Sequence, residues 1–544
     1  MTTAGFTPET AGAVALARQH AAGDLLRRTA LRYPGKLAVV AGPRRVSFAE
    51  FDTAVNRCAN AIAAGGVGKG DRVALLSHNC WQYAVLAYAT ARLGAVLVPV
   101  NFMLGPDEIA YILGHSGATA MIAEDALAGT AEKALARAGL TDGLRGWIGL
   151  SGGAPGGAAA AAAPGPGWQD VDAWIDGPGD AAPPAVAVGD DDPIRLMYTS
   201  GTEARPKGVM LSSRSLIAQY VSCAIDGGIA HDDVEVHSLP MYHCAQLDCF
   251  FSVDVYLGAT SVILPGPDPA ALLATIERER ATKLFAPPTV WISLLRHPDF
   301  DTRDLSSLRK GYYGAAPMPV EILRELSRRL PDMATWNFYG QTEMSPLATI
   351  LRPHEQLPHA GSAGRAALNV ETRVVDDRDE PVAAGEVGEI VHRSPHAALG
   401  YYNDEEKTAE AFRGGWFHSG DLGRIDSDGY LSVVDRKKDM IKTGGENVSS
   451  REVEEALYAL DGVAEVAVFG VTHPHWIEAV TAVIVPRAGA SLTEDQVMAH
   501  ARAVLAGYKR PKYVIFAAAL PKNPSGKILK KDLRAEHAGL AAGE

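Results

Sequence analysis

Tyr198-Thr-Ser-Gly-Thr-Glu-Ala-Arg-Pro-Lys-Gly-Val-Met210 packs small hydroxyl residues, two glycines and a lysine into one turn-prone loop after an apolar, strand-like start. Backbone N–H groups freed by Gly201 and Gly208, the hydroxyls of Thr199, Ser200 and Thr202, and the Lys207 ammonium together suit a polyphosphate. A Walker loop needs glycine immediately before the lysine and Ser or Thr after it. Here Pro206 and Gly208 hold those places. The stretch reads as a phosphate loop of a different kind.

Four further stretches follow in order: Tyr339-Gly-Gln-Thr-Glu343, Gly415-Trp-Phe-His-Ser-Gly-Asp421, Asp435-Arg-Lys-Lys-Asp-Met-Ile-Lys-Thr-Gly-Gly-Glu-Asn447 and Pro521-Lys-Asn-Pro-Ser-Gly-Lys527. Together with the loop they closely resemble the adenylate-forming superfamily of acyl- and aryl-CoA synthetases, peptide-synthetase adenylation domains and beetle luciferases. The resemblance runs from about residue 24 to 534 and points to the acyl-CoA synthetase branch. One departure is Glu203-Ala204, where many members carry Thr-Gly; it bears on the loop's flexibility and its pyrophosphate contact. The fold implied is α/β. A large N-terminal adenylation domain (1–435) has layered, largely parallel sheets and helices, and a small mobile α+β lid domain (436–544) follows, hinged near Lys438.

The residue patterns agree with that fold class. Residues 72–76 are a short apolar run, 81–92 have helical spacing and 95–100 are apolar again. Such a strand–helix–strand unit needs a buried, largely parallel sheet. The change of period recurs at 283–286 and 289–295. Residues 151–192 differ in kind, with Gly/Pro runs, six consecutive alanines at 158–163 and three consecutive aspartates. They read as a mobile surface insertion in which the piece from Trp168 to Trp174 docks locally. Past 435–438 a helix is expected at 451–460, strands at 463–471 and 479–485, a helix at 493–506 and a strand at 513–516.

The chain has 544 residues, 47% hydrophobic and 21% charged, with net charge −13. That acidity argues against a general nucleic-acid or membrane-surface partner. Positive charge is concentrated at 505–534, where Lys509, Arg510, Lys512, Lys522, Lys527, Lys530, Lys531 and Arg534 face Asp532 alone. Five scattered cysteines lack a metal-ligand spacing and read as buried free thiols, which fits a reducing compartment. Neither a signal peptide nor an integral membrane segment is apparent, so the expected location is cytoplasmic.

A carboxylate does not react with a thiol at neutral pH, because the leaving group would be oxide. Attack on the α-phosphate of ATP converts that oxygen into a good leaving group, and the protein must cancel charge and hold the reactants in line. Glu343 is a natural ligand, direct or through water, for a Mg2+ ion bridging phosphates. Thr342 can hydrogen-bond the α-phosphate, and Tyr339 offers a face to adenine. Gly314-Ala315-Ala316-Pro317 lets backbone approach a flat base, and is equally a tight strand–helix turn. Asp421 has the acceptor-only carboxylate that two ribose hydroxyls require.

The resemblance adds further roles. It assigns adenine to Gly314–Ala316, ribose to Asp421 and nucleotide support to Arg436. Lys527 would bridge carboxylate and α-phosphate in the adenylation transition state. After rotation at Lys438, Gly444, Gly445 and Glu446 would form a narrow channel for the pantetheine of coenzyme A, with Lys442 near the active site. Gly444-Gly445 is also read as a turn before a helix capped by Ser449 or Ser450. His243, in Pro240-Met-Tyr-His243, aligns with a gate between acid and CoA sites, and a core histidine is its plain alternative.

The activity implied is an ATP-dependent acyl-CoA synthetase working through an acyl-adenylate, on a medium- or long-chain fatty acid. An aryl-acid CoA ligase and an enzyme loading an acyl carrier protein are the alternatives. Residues 240–264 and 311–320 hold no Lys or Arg, which disfavours a second carboxylate on the acid. Small-molecule acid, ATP and CoA are the expected partners, with a homodimer left open.

Overall fold

A computed structural model describes residues 7–140, 142–150, 165–199, 206–316, 318–444, 446–487, 489–522 and 528–541. The chain divides into two compact units, residues 1–371 with 393–415, and 372–392 with 416–544. Residues 435 and 436 both fall within the second unit.

The first unit holds two large sheets. In one, Arg72–Leu76 lies between Val96–Pro99 and Ala120–Glu124, all parallel, and Leu144–Ile148 and Trp168–Asp170 extend it in parallel. On its other side come Pro193–Thr199, parallel to Val96–Pro99, then Lys207–Ser212 and Gly400–Tyr401, each antiparallel to its neighbour. Helix Trp81–Leu93 is buried along all its length, as an apolar helix without a polar face must be. The Cys80 thiol accepts the Tyr83 N–H at its start, and Gly94 at φ +66° ends it.

In the second sheet Leu37–Ala41, Thr260–Ile263, Val234–His237, Lys283–Phe285, Lys310–Gly314 and Ala334–Tyr339 run parallel in that order. Its core joins Val236, Leu284, Trp291, Leu294, Leu323 and Leu326.

Within the described part of the expected insertion, the piece from Trp168 to Trp174 docks, while 177–191 carry no helix or strand and are mostly exposed. Trp168–Asp170 is an edge strand, and helix Val171–Asp176 buries Val171, Trp174 and Ile175. Three large apolar residues in a short span supply burial that the Gly/Ala tract lacks. Gly146 leaves room for the Trp174 ring, which a Cβ would approach to 2.7 Å. Residues 151–164 lie outside the described chain.

The second unit has a four-stranded sheet, Glu371–Val375, Gly388–Arg393, Phe417–Ile425 and Leu431–Arg436. A second sheet is built on the long antiparallel pair Val463–His473 and Ile477–Pro486. Helices Ser450–Tyr458 and Glu494–Val504 and strand Tyr513–Phe516 complete it. All five cysteines are buried and free. Among the described residues no helix is long and apolar enough to cross a membrane.

Candidate active site

Two parallel strands set the first half of the site. Gly314 is opposite Phe338 at the carboxyl end of Lys310–Gly314 and Ala334–Tyr339. A Cβ on Gly314 would stand 2.5 Å from the Phe338 carbonyl oxygen, so only glycine fits. Ala315 takes the left-handed φ of +63°, and Ala315 and Ala316 are exposed as a ledge of nearly bare backbone. Tyr339 is the last residue of the neighbouring strand, and Thr342–Met344 forms the turn beyond it. Ligands of open parallel sheets bind outside such carboxyl ends.

The loop carrying His243 leaves the same edge, after Val234–His237. Cys244 Sγ lies 3.3 Å from Thr342 Oγ1, which ties this loop to the turn bearing Glu343. Asn79, from the first sheet, donates to Leu239 O at 2.7 Å and accepts from Met241 N at 2.8 Å. The edges of both sheets are therefore joined by buried hydrogen bonds. Burial pulls the His243 imidazole down to about 4, so it is neutral at pH 7.

The phosphate loop is framed by an antiparallel pair in which Thr199 faces Lys207. Lys207 Nζ stands 5.0 Å from the centre of the Tyr401 ring. The Tyr401 hydroxyl donates to Glu343 Oε1 at 3.0 Å. Burial, then Glu343, pushes the Tyr401 hydroxyl pKa up, which keeps it a donor. Lys207, Tyr401 and Glu343 thus form one cluster, while Ser200, Gly201 and Thr202 lie outside the described residues.

In the second unit Asp421 is buried and paired across the sheet with Arg436, whose Nε is 3.4 Å from Oδ1. Lys438 follows Lys437, which binds Glu389 at 3.2 Å and Asp377 at 3.3 Å. Lys442 is exposed on Ile441–Thr443, and its N–H donates to Glu478 Oε2 at 2.7 Å. Gly444 has φ +58° and donates to Trp476 O, and Glu446 is exposed opposite Thr443. Ser449 caps the helix that begins at Ser450. Gly445 and Lys527 lie outside the described residues. Pro521 and Lys522 pair with Leu529 and Ile528 on either side of Lys527.

Tyr401, which lies against Lys207 and bonds Glu343, is a candidate site residue that the sequence reading passed over. Its signal is Gly400-Tyr-Tyr-Asn403, an isolated glycine before two rings, and its contacts lie far away in sequence. Tyr401→Phe keeps a ring beside Lys207 and removes the donor to Glu343. A charged group that loses its donor costs roughly 1.5–3 kcal/mol, so kcat/KM for acid-dependent pyrophosphate release falls about ten- to a hundredfold. Titrating that rate with magnesium checks it, and a variant with unchanged magnesium dependence would refute the link to Glu343.

The family model for AMP-binding enzymes matches residues 26–402, and that for the AMP-binding enzyme C-terminal domain matches 452–527. A feruloyl-CoA synthase from Amycolatopsis sp. is 39% identical over 520 residues, 95% of this chain and 99% of that protein. The long-chain-fatty-acid–CoA ligase FadD13 of Mycobacterium tuberculosis is 35% identical over 493 residues, 91% and 93% of the two chains. Among solved structures, ATP-bound MatB from Rhodopseudomonas palustris superposes with a TM-score of 0.85 at 30% identity, over 95% of this chain and 99% of that one. With a family match that runs from the first sheet through Tyr401 and a second over the C-terminal sheet, this chain belongs to the AMP-binding enzyme family.

Proposed function

We propose that the chain is an AMP-forming acid–CoA ligase whose acid carries an uncharged apolar tail, an aryl-bearing one in preference to a long alkyl chain. The observation that carries the preference is the closed set of rings around Phe250 and Phe251, on the helical stretch after His243. Phe250, fully buried, stacks on Phe285 with centroids 4.2 Å apart and on Phe338 at 5.5 Å, with Tyr312 edge-on at 5.2 Å. Phe251 is equally buried against Tyr88 and His237. A long tail would have to part rings already in contact. A flat acid needs only the aromatic surface near Tyr242 and His243. The feruloyl-CoA synthase relative supports this choice, and the fatty-acid ligase relative supports a second reading in which the tail is alkyl.

The roles follow from the residues. Thr199 and Lys207 at the neck of the phosphate loop receive the triphosphate, and the Gly314–Ala316 ledge and Tyr339 hold adenine between them. Asp421, kept in place by Arg436, accepts from the ribose hydroxyls. Glu343, whose one oxygen is held by Tyr401, directs its carboxylate as a Mg2+ ligand should be directed by an outer partner. When bound there, Mg2+ offsets charge on the phosphates. Thr342 donates to the α-phosphate, and Lys527 neutralises the charge that develops as the acid attacks. The acyl-adenylate then passes its acyl group to CoA, with Gly444, Gly445 and Glu446 lining the thiol's approach after rotation at Lys438.

Specificity constants across acetate, octanoate, palmitate, benzoate and cinnamate test the acid. Cinnamate and benzoate are expected to exceed every alkyl acid. A profile that instead climbs toward palmitate, at up to about 0.8 kcal/mol or nearly fourfold per methylene, would favour the fatty-acid reading and leave the ligase chemistry standing.

A further inference from the structure

The first sheet has its own topological switch point, at strand Arg72–Leu76. Arg72–Leu76 lies centrally, with Val96–Pro99 on one side and Ala120–Glu124 on the other, so the chain reverses its winding there. Open parallel sheets bind ligands outside the carboxyl ends at such a point. His78 stands just beyond one of these strands, and Glu124 is the last residue of the other. His78 Nδ1 is 2.8 Å from Glu124 Oε1, and the His78 N–H donates to Oε2, also at 2.8 Å. Ser77 Oγ donates to the same oxygen at 3.3 Å. Glu124 is buried, while 38% of the His78 side chain stays exposed. With Nδ1–H held by a carboxylate, Nε2 carries the lone pair and can accept a proton.

A row of rings leads from this pair to the loop carrying His243. His78 stacks on Phe102 at 3.8 Å, Phe102 meets Tyr242 edge-on at 5.2 Å, and Tyr242 lies 4.6 Å from His243. Asn79, the next residue, is bonded to Leu239 and Met241 of the same loop. The Tyr242 hydroxyl is buried without a hydrogen-bond partner among the described residues, which leaves a donor for an incoming polar chain. His243 cannot serve as base near neutrality, since burial holds it at about 4.

We propose that His78, oriented by Glu124, is the catalytic base that takes the thiol proton when CoA attacks the acyl-adenylate. The proposal rests on the ligase reading above. The S–H proton passes to Nε2 and the sulfur pair forms the C–S bond. The acyl C–O bond to phosphate breaks, AMP leaves as the anion, and the imidazolium returns its proton to water. Around His78 the ionisable groups are Glu124 on the adjacent strand, Tyr242 and His243 along the ring row, and Cys80 on its own turn. Burial pushes the Cys80 thiol up to about 12, so it stays protonated.

The test uses the full-length enzyme with purified acyl-adenylate and CoA in single turnover from pH 6 to 10, beside acid-dependent pyrophosphate release. His78→Gln is expected to slow thiol transfer roughly a hundredfold at pH 7, with pyrophosphate release kept. The deficit should shrink below about tenfold near pH 9.5, where a thiol of ordinary pKa near 8.5 ionises unaided. Glu124→Gln should show the same pH-dependent recovery with a smaller deficit. Transfer at the wild-type rate in His78→Gln, a deficit equal at every pH, or a parallel fall in pyrophosphate release would each overturn the assignment. Wild-type enzyme that releases pyrophosphate yet transfers nothing to CoA would overturn the ligase reading itself, a result visible before any variant is made.

Discussion

Lys527→Ala lowers acid-dependent pyrophosphate release by about a hundred- to a thousandfold, the usual loss when one preorganised charge on a transition state is removed. A preformed acyl-adenylate is expected still to pass to CoA in this variant, because the proposed role confines the lysine to the first half-reaction. Lys438→Pro does the reverse. A fixed φ at the turn between Leu431–Arg436 and Ile441–Thr443 should obstruct the proposed rotation, so that adenylate forms and accumulates without transfer. Quenched-flow measurement of both half-reactions separates the two, and equal loss of both steps in both variants would sink the two-state account.

Lys283→Met is expected to cost a large share of the protein's stability. Lys283, Glu235, His237 and Asp254 are all fully buried. The Lys283 ammonium is 2.7 Å from Glu235 and also binds Asp254, and Asp254 is 3.2 Å from His237 Nε2. Burial opposes charge on Lys283, but Asp254 and Glu235 outweigh it and hold its pKa up. Burial raises Glu235, whereas at Asp254 burial is outweighed only by Lys283 and His237 together, which keep it low. The lysine therefore fills the place that a cation would take among these ligands. Removing it leaves buried carboxylate charge without a partner, worth about 3–5 kcal/mol. The triple variant Glu235→Leu, Asp254→Leu, Lys283→Met should regain most of that loss, since apolar replacement of a whole buried ion set is often neutral or better. Denaturant midpoints measure both, and a single variant within about 1 kcal/mol of the parent would show that the pair carries little.

How legible these features were depends on sequence distance. The strand–helix–strand units at 72–100 and 283–295 were readable because periodicity is local, and their bounds moved by only a few residues. The stretch 198–210, the Thr342–Glu343 turn and Asp421 could be singled out as candidates because each keeps its chemistry within one short stretch. Lys283 was read only as the start of an apolar strand. Nothing in its neighbours says that Glu235 and Asp254 arrive from two other elements. Tyr401 meets Glu343, and His78 meets Glu124, across separations that periodicity does not span. The docking of Trp168 to Trp174 was readable because two tryptophans stand out from a tract of otherwise small residues.

The strand order of the second sheet also sets a schedule for biosynthesis. Val39 finds its partner in Ser261, about 220 residues later. At roughly 5–20 residues per second the ribosome needs on the order of 10–45 s to deliver it. Through that interval the apolar strand Leu37–Ala41 has only the short Arg44–Ser47 beside it, and its other edge is open to any neighbouring chain. Gly400–Tyr401 comes later still, to close the opposite margin of the first sheet against Lys207–Ser212. Nascent chains stalled before residue 261 should therefore bind holdase chaperones at 37–41, and those stalled beyond 415 should release them.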